Sequence, residues 1–331
     1  MRISFVKLSR TRCFSFPNVL ILNLGRHRRG DAVITYANRL RPGDTIGLIA
    51  PSHVAREADY QQIVKAVETL GFRAKLGANI FKDTHGYLAS EQERADDLNG
   101  MVADDTVKMI HFSGGWGASE ILPLIDYENI AHHPKLFCSY SDGTSILNAV
   151  HARTGLITYY GQGAGEYRDL RYYDYTQFAA HFIEGNRADS LQGNGGWRVL
   201  CSGACEGVLI GGYTVNFALL LGGEFFRYDS RHRYLLFLED HEKFSEVSAV
   251  SVYLSHVEQS PFIKNVSGLI FGHYAENPPE DLLRRLERFG AKHGVPVVYT
   301  DDFGHFTRHS ILPIGVEAAL DTDSQTLTFI Q

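Results

Sequence analysis

Cysteine is scarce in this chain of 331 residues: Cys13, Cys138, Cys201 and Cys205 are too few and too irregularly spaced for a disulfide framework. A reducing, cytoplasmic setting fits them. Long apolar runs are also missing, and no window approaches the roughly 18 to 20 uninterrupted apolar residues of a membrane-crossing helix. With 10 prolines and 21% charged residues, the composition is not that of a disordered chain. Positive charge is in deficit, the net charge being −6, so there is no basic stripe for a phosphate backbone and nucleic acid is not an expected partner. What is present in quantity is apolar side chain, 44% of the total, enough for one large core or two smaller ones.

The basic residues are unevenly placed. Arg2, Lys7, Arg10, Arg12, Arg26, Arg28 and Arg29 precede the first acid, Asp31, and removing these seven takes the net charge from −6 to −13. The apolar run from Val19 to Leu24 is short, follows Pro17 and leads into more Arg, which makes a poor signal peptide. Residues 1–39 are therefore expected to form an extension ahead of the folded domain.

From Leu40 onward the punctuation becomes regular. Thr45 to Ala50 is an apolar run ended by Pro51-Ser52, Ala58 to Leu70 has helical spacing and stops at Gly71, and Phe72 to Leu76 completes a βαβ unit. Ser90-Glu91-Gln92-Glu93 is a capping box opening a helix to Ala103. The spacing then predicts strands over Val107 to Phe112 and Leu136 to Tyr140 and a helix over Ser145 to Arg153, stopped by Gly155. Strict alternation of this kind implies a parallel sheet covered on both faces. Order is lost from 163 to 205, a stretch rich in Gly, Tyr and Asp that holds Gly193-Asn194-Gly195-Gly196 and one helix near Tyr175 to Glu184. Apolar runs at Gly207 to Ile210, Tyr234 to Leu238, Gly268 to Phe271 and Val295 to Tyr299, with helical stretches between them, describe a second α/β half. The expected organisation is an extension (1–39), a doubly wound nucleophile domain (40–165), a linker or active-site loop region (166–205) and a smaller C-terminal α/β domain (206–331).

Chemistry is signalled first at Cys138-Ser139-Tyr140-Ser141-Asp142-Gly143, between a predicted strand and a predicted helix. Small residues two positions either side of Ser141 suit a nucleophile elbow, in which the apex hydroxyl stands at a helix N-terminus that favours developing negative charge. A Ser-Asp helix cap has the same appearance. Ser113-Gly114-Gly115-Trp116-Gly117 also ends a strand, where doubly wound sheets place ligands; its backbone donors and the N–H of Asp142 could form an oxyanion hole, or the segment is a plain βα turn. A serine nucleophile needs a base, for which His305 beyond the last strand is a candidate, and an orienting acid, for which Glu239-Asp240 at the end of an apolar strand supplies two. His305 and His309 have i, i+4 spacing, and His132-His133 and His241-Glu242 add further candidates, but no H-E-x-x-H forms and no metal site is expected.

Several of these segments carry a family resemblance. Pro42-Gly43-Asp44-Thr45-Ile46-Gly47-Leu48-Ile49-Ala50-Pro51-Ser52, Gly114-Gly115-Trp116-Gly117, Leu124-Ile125-Asp126-Tyr127, Pro134-Lys135, Tyr140-Ser141-Asp142, Leu238-Glu239-Asp240, Phe303-Gly304-His305 and Leu312-Pro313-Ile314-Gly315 resemble, in order and spacing, the LD-carboxypeptidase family of serine peptidases. The resemblance runs from about residue 40 to 322. It implies a nucleophile at Ser141, a general base at His305, an orienting acid at Glu239 and oxyanion donors at Gly115 and Asp142, with no cofactor. It also implies a homodimer acting on a small peptide, either a murein tetrapeptide cut at an L-D bond or the aminoacyl-nucleotide analogues hydrolysed by the microcin-resistance branch. Departures are Ser139 where the family usually has Gly, Ser113 where it often has Arg, and Gly143 where a branched residue is common. Trp116, Gly165-Glu166 and the segment Gly196-Trp197-Arg198-Val199-Leu200 resemble the microcin-resistance branch more; Trp116 and Trp197, whose indole faces could stack on a flat ring, and Ser113, at the position of the family's Arg, are the candidate substrate contacts. Core packing is the alternative for each Trp, and a non-catalytic peptide- or nucleotide-binding protein is the alternative for the whole chain.

Overall fold

A computed structural model describes residues 26–29, 32–165, 172–184, 190–192 and 196–330. It opens with an antiparallel hairpin of β1 (Arg26–Arg29) and β2 (Ala32–Thr35). Then come β3 (Thr45–Ile49), α1 (Glu57–Thr69), β4 (Arg73–Leu76), α2 (Glu91–Ala103), β5 (Val107–Phe112), α3 (Tyr127–His132), β6 (Leu136–Ser139), α4 (Thr144–Thr154) and β7 (Thr158–Tyr160). The capping box at Ser90 and Glu93 is formed, and α4 stops where Gly155 turns left-handed at φ +72°. Fully buried strands such as β3 and β6 explain the uninterrupted apolar runs, because helices cover both faces of a parallel sheet. The sheet order β4-β3-β5-β6-β7 places the reversal of winding between β3 and β5.

The second half comprises α5 (Tyr172–Phe178), β8 (Ser190–Gln192), β9 (Arg198–Cys201), β10 (Ala204–Tyr213), α6 (Thr214–Leu220), β11 (Tyr234–Glu239), α7 (Val247–Gln259), β12 (Val266–His273), α8 (Glu280–His293), β13 (Val297–Gly304), β14 (Leu312–Ile314), β15 (Glu317–Asp321) and β16 (Thr326–Ile330). Its sheet order is β8-β16-β15-β10-β11-β12-β13-β9, with a parallel core from β10 to β13 and antiparallel strands on either side. This sheet is the wider of the two, because β8 and β9 from the expected linker close its edges. The described parts of 166–205 are thus built into the fold; Glu166 and 193–195 lie outside the described residues.

Two further placements differ from the sequence reading. Within the expected extension, Ile34 and Tyr36 are buried, the Thr35 N–H donates to Gly155 O and the Ile157 N–H donates to Thr35 O, so the folded unit begins before residue 40. Alternating apolar side chains there dock on the sheet edge, a signal the charge count of the stretch conceals; residues 1–25 lie outside the described residues. Conversely, β14 comes from the C-terminal half of the chain but pairs antiparallel with β7 in the first sheet. Its Pro313 is accommodated because the strand is an edge. Among the described residues no helix is long and apolar enough to cross a membrane.

Candidate active site

β6 ends at Ser139, Tyr140 is extended, and Ser141 takes φ +55° before a single turn of 3₁₀ helix leads into α4. A left-handed non-glycine residue at a strand-to-helix reversal is the strained geometry of an elbow. Three hydrogen bonds hold it: the Ser141 N–H donates to the Tyr160 hydroxyl (3.0 Å), Thr144 Oγ1 donates to Ser141 O (2.6 Å) and the Gly143 N–H donates to Tyr140 O (3.0 Å). Ser141 is buried, so its hydroxyl faces a cleft rather than open solvent.

His305 comes from the opposite sheet. β13 continues five residues past the predicted run, and His305 stands between Gly304 at φ +121° and Phe306 at φ +59°, a reversal that swings the imidazole back over the first sheet. Its Nε2 lies 3.0 Å from Ser141 Oγ and its Nδ1 2.9 Å from Glu239 Oε2. Because Nδ1 faces a carboxylate, the proton belongs on Nδ1 and the Nε2 lone pair points at the serine hydroxyl. The rings of Tyr140, Tyr213 and Phe244, at centroid distances of 5.2, 5.2 and 5.1 Å, hold the imidazole from the sides.

Glu239 closes β11 with no exposed surface, and its second oxygen, Oε1, accepts from the Tyr160 hydroxyl at 2.5 Å. Both carboxylate oxygens are therefore satisfied, the condition for keeping a buried charge. The neighbouring Asp240 turns elsewhere: its Oδ1 accepts the His241 N–H at 2.8 Å. Burial, reinforced by the Glu239 charge, pushes the Asp240 carboxyl up to about 7.

The glycine loop after β5 meets the loop after β3 at the point where the winding reverses. A Cβ on Gly114 would fall 2.5 Å from Ser141 Cβ, and one on Gly115, at φ +146°, would fall 2.0 Å from Ser52 O. Only glycine lets this backbone reach the serine. The Trp116 N–H donates to Ser52 O (2.8 Å), and the buried Arg94 ties both loops from beneath, donating to Pro51 O (2.7 Å), Gly117 O (2.9 Å) and Glu120 Oε2 (2.5 Å). Asp142, expected to contribute its N–H, uses its side chain as well: Oδ2 accepts the Ala118 N–H (2.7 Å) and Oδ1 accepts from Asn216 of α6 (2.6 Å). Burial raises its carboxyl above the usual range.

These groups open onto a cleft of about 340 Å³ lined by Trp116, Tyr140, Tyr213, Phe244, Phe306 and His309 around Ser141 and His305. Trp116, Phe306 and Phe244 are 69%, 61% and 49% exposed, forming an aromatic rim. Two sequence-derived candidates stand apart from it. Trp197 is buried, with its Nε1 donating to Asp302 Oδ2 at 3.0 Å, so of its two sequence readings core packing holds and the substrate contact does not. Ser113 does not line the cleft either, its Oγ accepting the Gly165 N–H at 3.1 Å and thereby fixing the neighbouring loop. Tyr160 and Arg94 escaped the sequence reading. No pattern distinguishes Tyr160 from Tyr159, but Arg94 falls on the helical face of Leu98 and Met101, where a cation is costly without partners.

A hydroxyl, an imidazole and a buried carboxylate are thus joined by hydrogen bonds in that order across two α/β sheets, the arrangement of groups that nucleophilic acyl transfer requires. The chain belongs to the LD-carboxypeptidase family: residues 46–161 match the LD-carboxypeptidase N-terminal domain and residues 206–320 the C-terminal domain. It is 31% identical to the probable murein peptide carboxypeptidase of Bacillus subtilis (strain 168), over 87% of this chain and 92% of that one. It is 27% identical to the microcin C7 self-immunity protein MccF of Escherichia coli, over 88% and 94%. A structure of MccF in complex with aspartyl sulfamoyl adenosine superimposes with a TM-score of 0.76 at 25% identity, over 89% and 98% of the chains. The MccF-like protein from Bacillus anthracis str. Ames gives a TM-score of 0.80 at 24% identity over 89% and 99%, a likeness of fold.

Proposed function

We propose that the protein is a serine peptidase in which Ser141 is the nucleophile, His305 the general base and Glu239 the orienting acid. The observation that carries this reading is the unbroken hydrogen-bond chain from Ser141 Oγ through His305 to Glu239. Ser141 Oγ attacks the amide carbonyl as His305 Nε2 takes its proton, and the carbonyl oxygen, now negative, is held by the N–H groups of Gly115 and Asp142. Collapse breaks the C–N bond while His305 returns the proton to the leaving amine; water then repeats the attack and frees Ser141. The N–H of Ser141 is already committed to Tyr160, which supports assigning the oxyanion to the other two donors.

The substrate we propose is an aminoacyl nucleotide-type amide. The exposed aromatic rim of Trp116, Phe244 and Phe306 supports it, since a nucleobase can stack there and a murein tetrapeptide offers no flat ring. The likeness to MccF points the same way. Incubation with aspartyl sulfamoyl adenosine and, separately, with a murein tetrapeptide tests both parts. Cleavage of the nucleotide analogue is expected, and Ser141→Ala should lower turnover by on the order of 10⁴ to 10⁶; a variant keeping more than about a tenth of the activity removes Ser141 from the nucleophile role. Trp116→Ala should weaken the analogue by about 1 to 3 kcal/mol and leave the tetrapeptide unaffected. Cleavage of the tetrapeptide alone would instead establish murein trimming, the reading that the Bacillus subtilis relative favours.

A further inference from the structure

Tyr160 is fully buried at the end of β7, and its hydroxyl sits between two groups that belong to different halves of the molecule. It donates to Glu239 Oε1 at 2.5 Å, across to the second sheet, and it accepts the Ser141 N–H at 3.0 Å, within the elbow of the first. We propose that Tyr160 is a positioning residue for the hydrolysis, its hydroxyl locking the orienting acid and the nucleophile elbow into one register across the two sheets. This rests on the Ser141-His305-Glu239 reading above.

The physical need is specific. The last torsion of a glutamate is soft and roughly two-fold, so a carboxylate held at one oxygen by an imidazole alone can swing away from it. A donor on the other oxygen removes that freedom and keeps Oε2 in the plane of the His305 Nδ1–H. The same hydroxyl gives the left-handed Ser141 a backbone partner that a helix or strand would otherwise provide. Burial, and after it the charge of Glu239, hold the phenol well above its ordinary range, so Tyr160 stays a donor wherever the carboxylate is ionised. Its ring packs against Phe237 of β11 at a centroid distance of 5.5 Å, so Phe at position 160 keeps the packing and removes only the oxygen.

The test is Tyr160→Phe in the full chain, assayed beside Ser141→Ala on whichever substrate the wild type cleaves. Turnover per folded molecule, the folded fraction being read from denaturation curves of each variant, should fall about ten- to a hundredfold with KM within about twofold. Incorporating 3-fluorotyrosine at 160, which restores the hydroxyl, should bring kcat back to within about threefold. If Tyr160→Phe keeps wild-type kcat while Ser141→Ala is inactive, this inference is overturned and the triad stands; an active Ser141→Ala overturns both. Should the Phe variant fail to fold, 3,5-difluorotyrosine carries the test. Its more acidic phenol should move the alkaline fall of kcat to lower pH, and a profile superimposable on the wild type overturns the inference.

Discussion

Glu239 and Asp240 are adjacent, fully buried acids given opposite tasks by the alternation of a strand end. Glu239 points into the space between the sheets, where His305 and Tyr160 receive it, while Asp240 folds back on the His241 N–H. Glu239→Gln removes the charge and leaves a single acceptor oxygen for two donors, the His305 Nδ1–H and the Tyr160 hydroxyl, so turnover should fall by about 10² to 10⁴. Asp240→Asn should cost far less, and a reversed ranking in steady-state assays would move the orienting role to Asp240. The two differ in stability as well. An Asp titrating near 7 in the folded protein, against about 3.9 unfolded, binds its proton more tightly in the fold. Its burial therefore becomes increasingly unfavourable as pH climbs from about 4 to 7, and changes no further above that. Asp240→Asn should gain stability over the wild type across that window, by at most about 4 kcal/mol. Denaturation midpoints for both proteins, measured from acid to neutral pH, check the sign.

Side chains from the helices brace the loops that carry the site. α2 lends Arg94, whose three nitrogens reach Ala89 O, Pro51 O, Gly117 O and Glu120, so one side chain fastens the ends of β3 and β5 together. α5 lends Asp174, whose carboxylate accepts the His309 N–H at 3.2 Å and so holds the segment beyond β13. Lys135 does similar work at the far end of the sheet, donating to Asp104 O and Val107 O. Replacing Arg94 by Ala strips the loop carbonyls of a buried donor and should lower the unfolding free energy by about 3 to 5 kcal/mol. Arg94→Lys should recover only part of that, since an ammonium lacks the planar fork. Urea titration is the measurement, and a loss under about 1 kcal/mol for Ala would show that the loops hold themselves.

At the scale of the molecule, the two sheets share their chain. β14 leaves the second half to pair with β7, Asn148 donates to Gly211 O (2.8 Å) and the Tyr213 N–H donates to Thr144 Oγ1 (2.8 Å), so backbone and side-chain bonds cross between the halves. Neither sheet can unfold without stripping donors and acceptors from the other. Loss of activity, which on the proposed triad needs Ser141 and His305 together, and the red shift of the buried Trp197, which reports the second half, should therefore coincide in one denaturant transition. Two separated transitions would mean the halves melt independently.

Local patterns were enough to locate the βα alternation, the helix boundaries at the capping box and at Gly155, and the elbow at Ser141, because each depends on residues within a few positions of one another. The ordered blocks from Pro42 to Gly315 carried the family likeness that paired Ser141 with Glu239 and His305. Other features left no local trace. Closing strands β14 to β16 are three to five residues long, too short for an apolar period to stand out from the surrounding sequence. The glycine-rich surroundings of Trp197 fit a cleft residue and a core residue alike, and the choice between them depends on Asp302, 105 residues away. The role of Tyr160 depends on Glu239, 79 residues further along, and the contact between Ser141 and His305 spans 164. Periodicity records which face of an element is buried, but which side chain on the opposite sheet it meets is decided only when the two sheets close on each other.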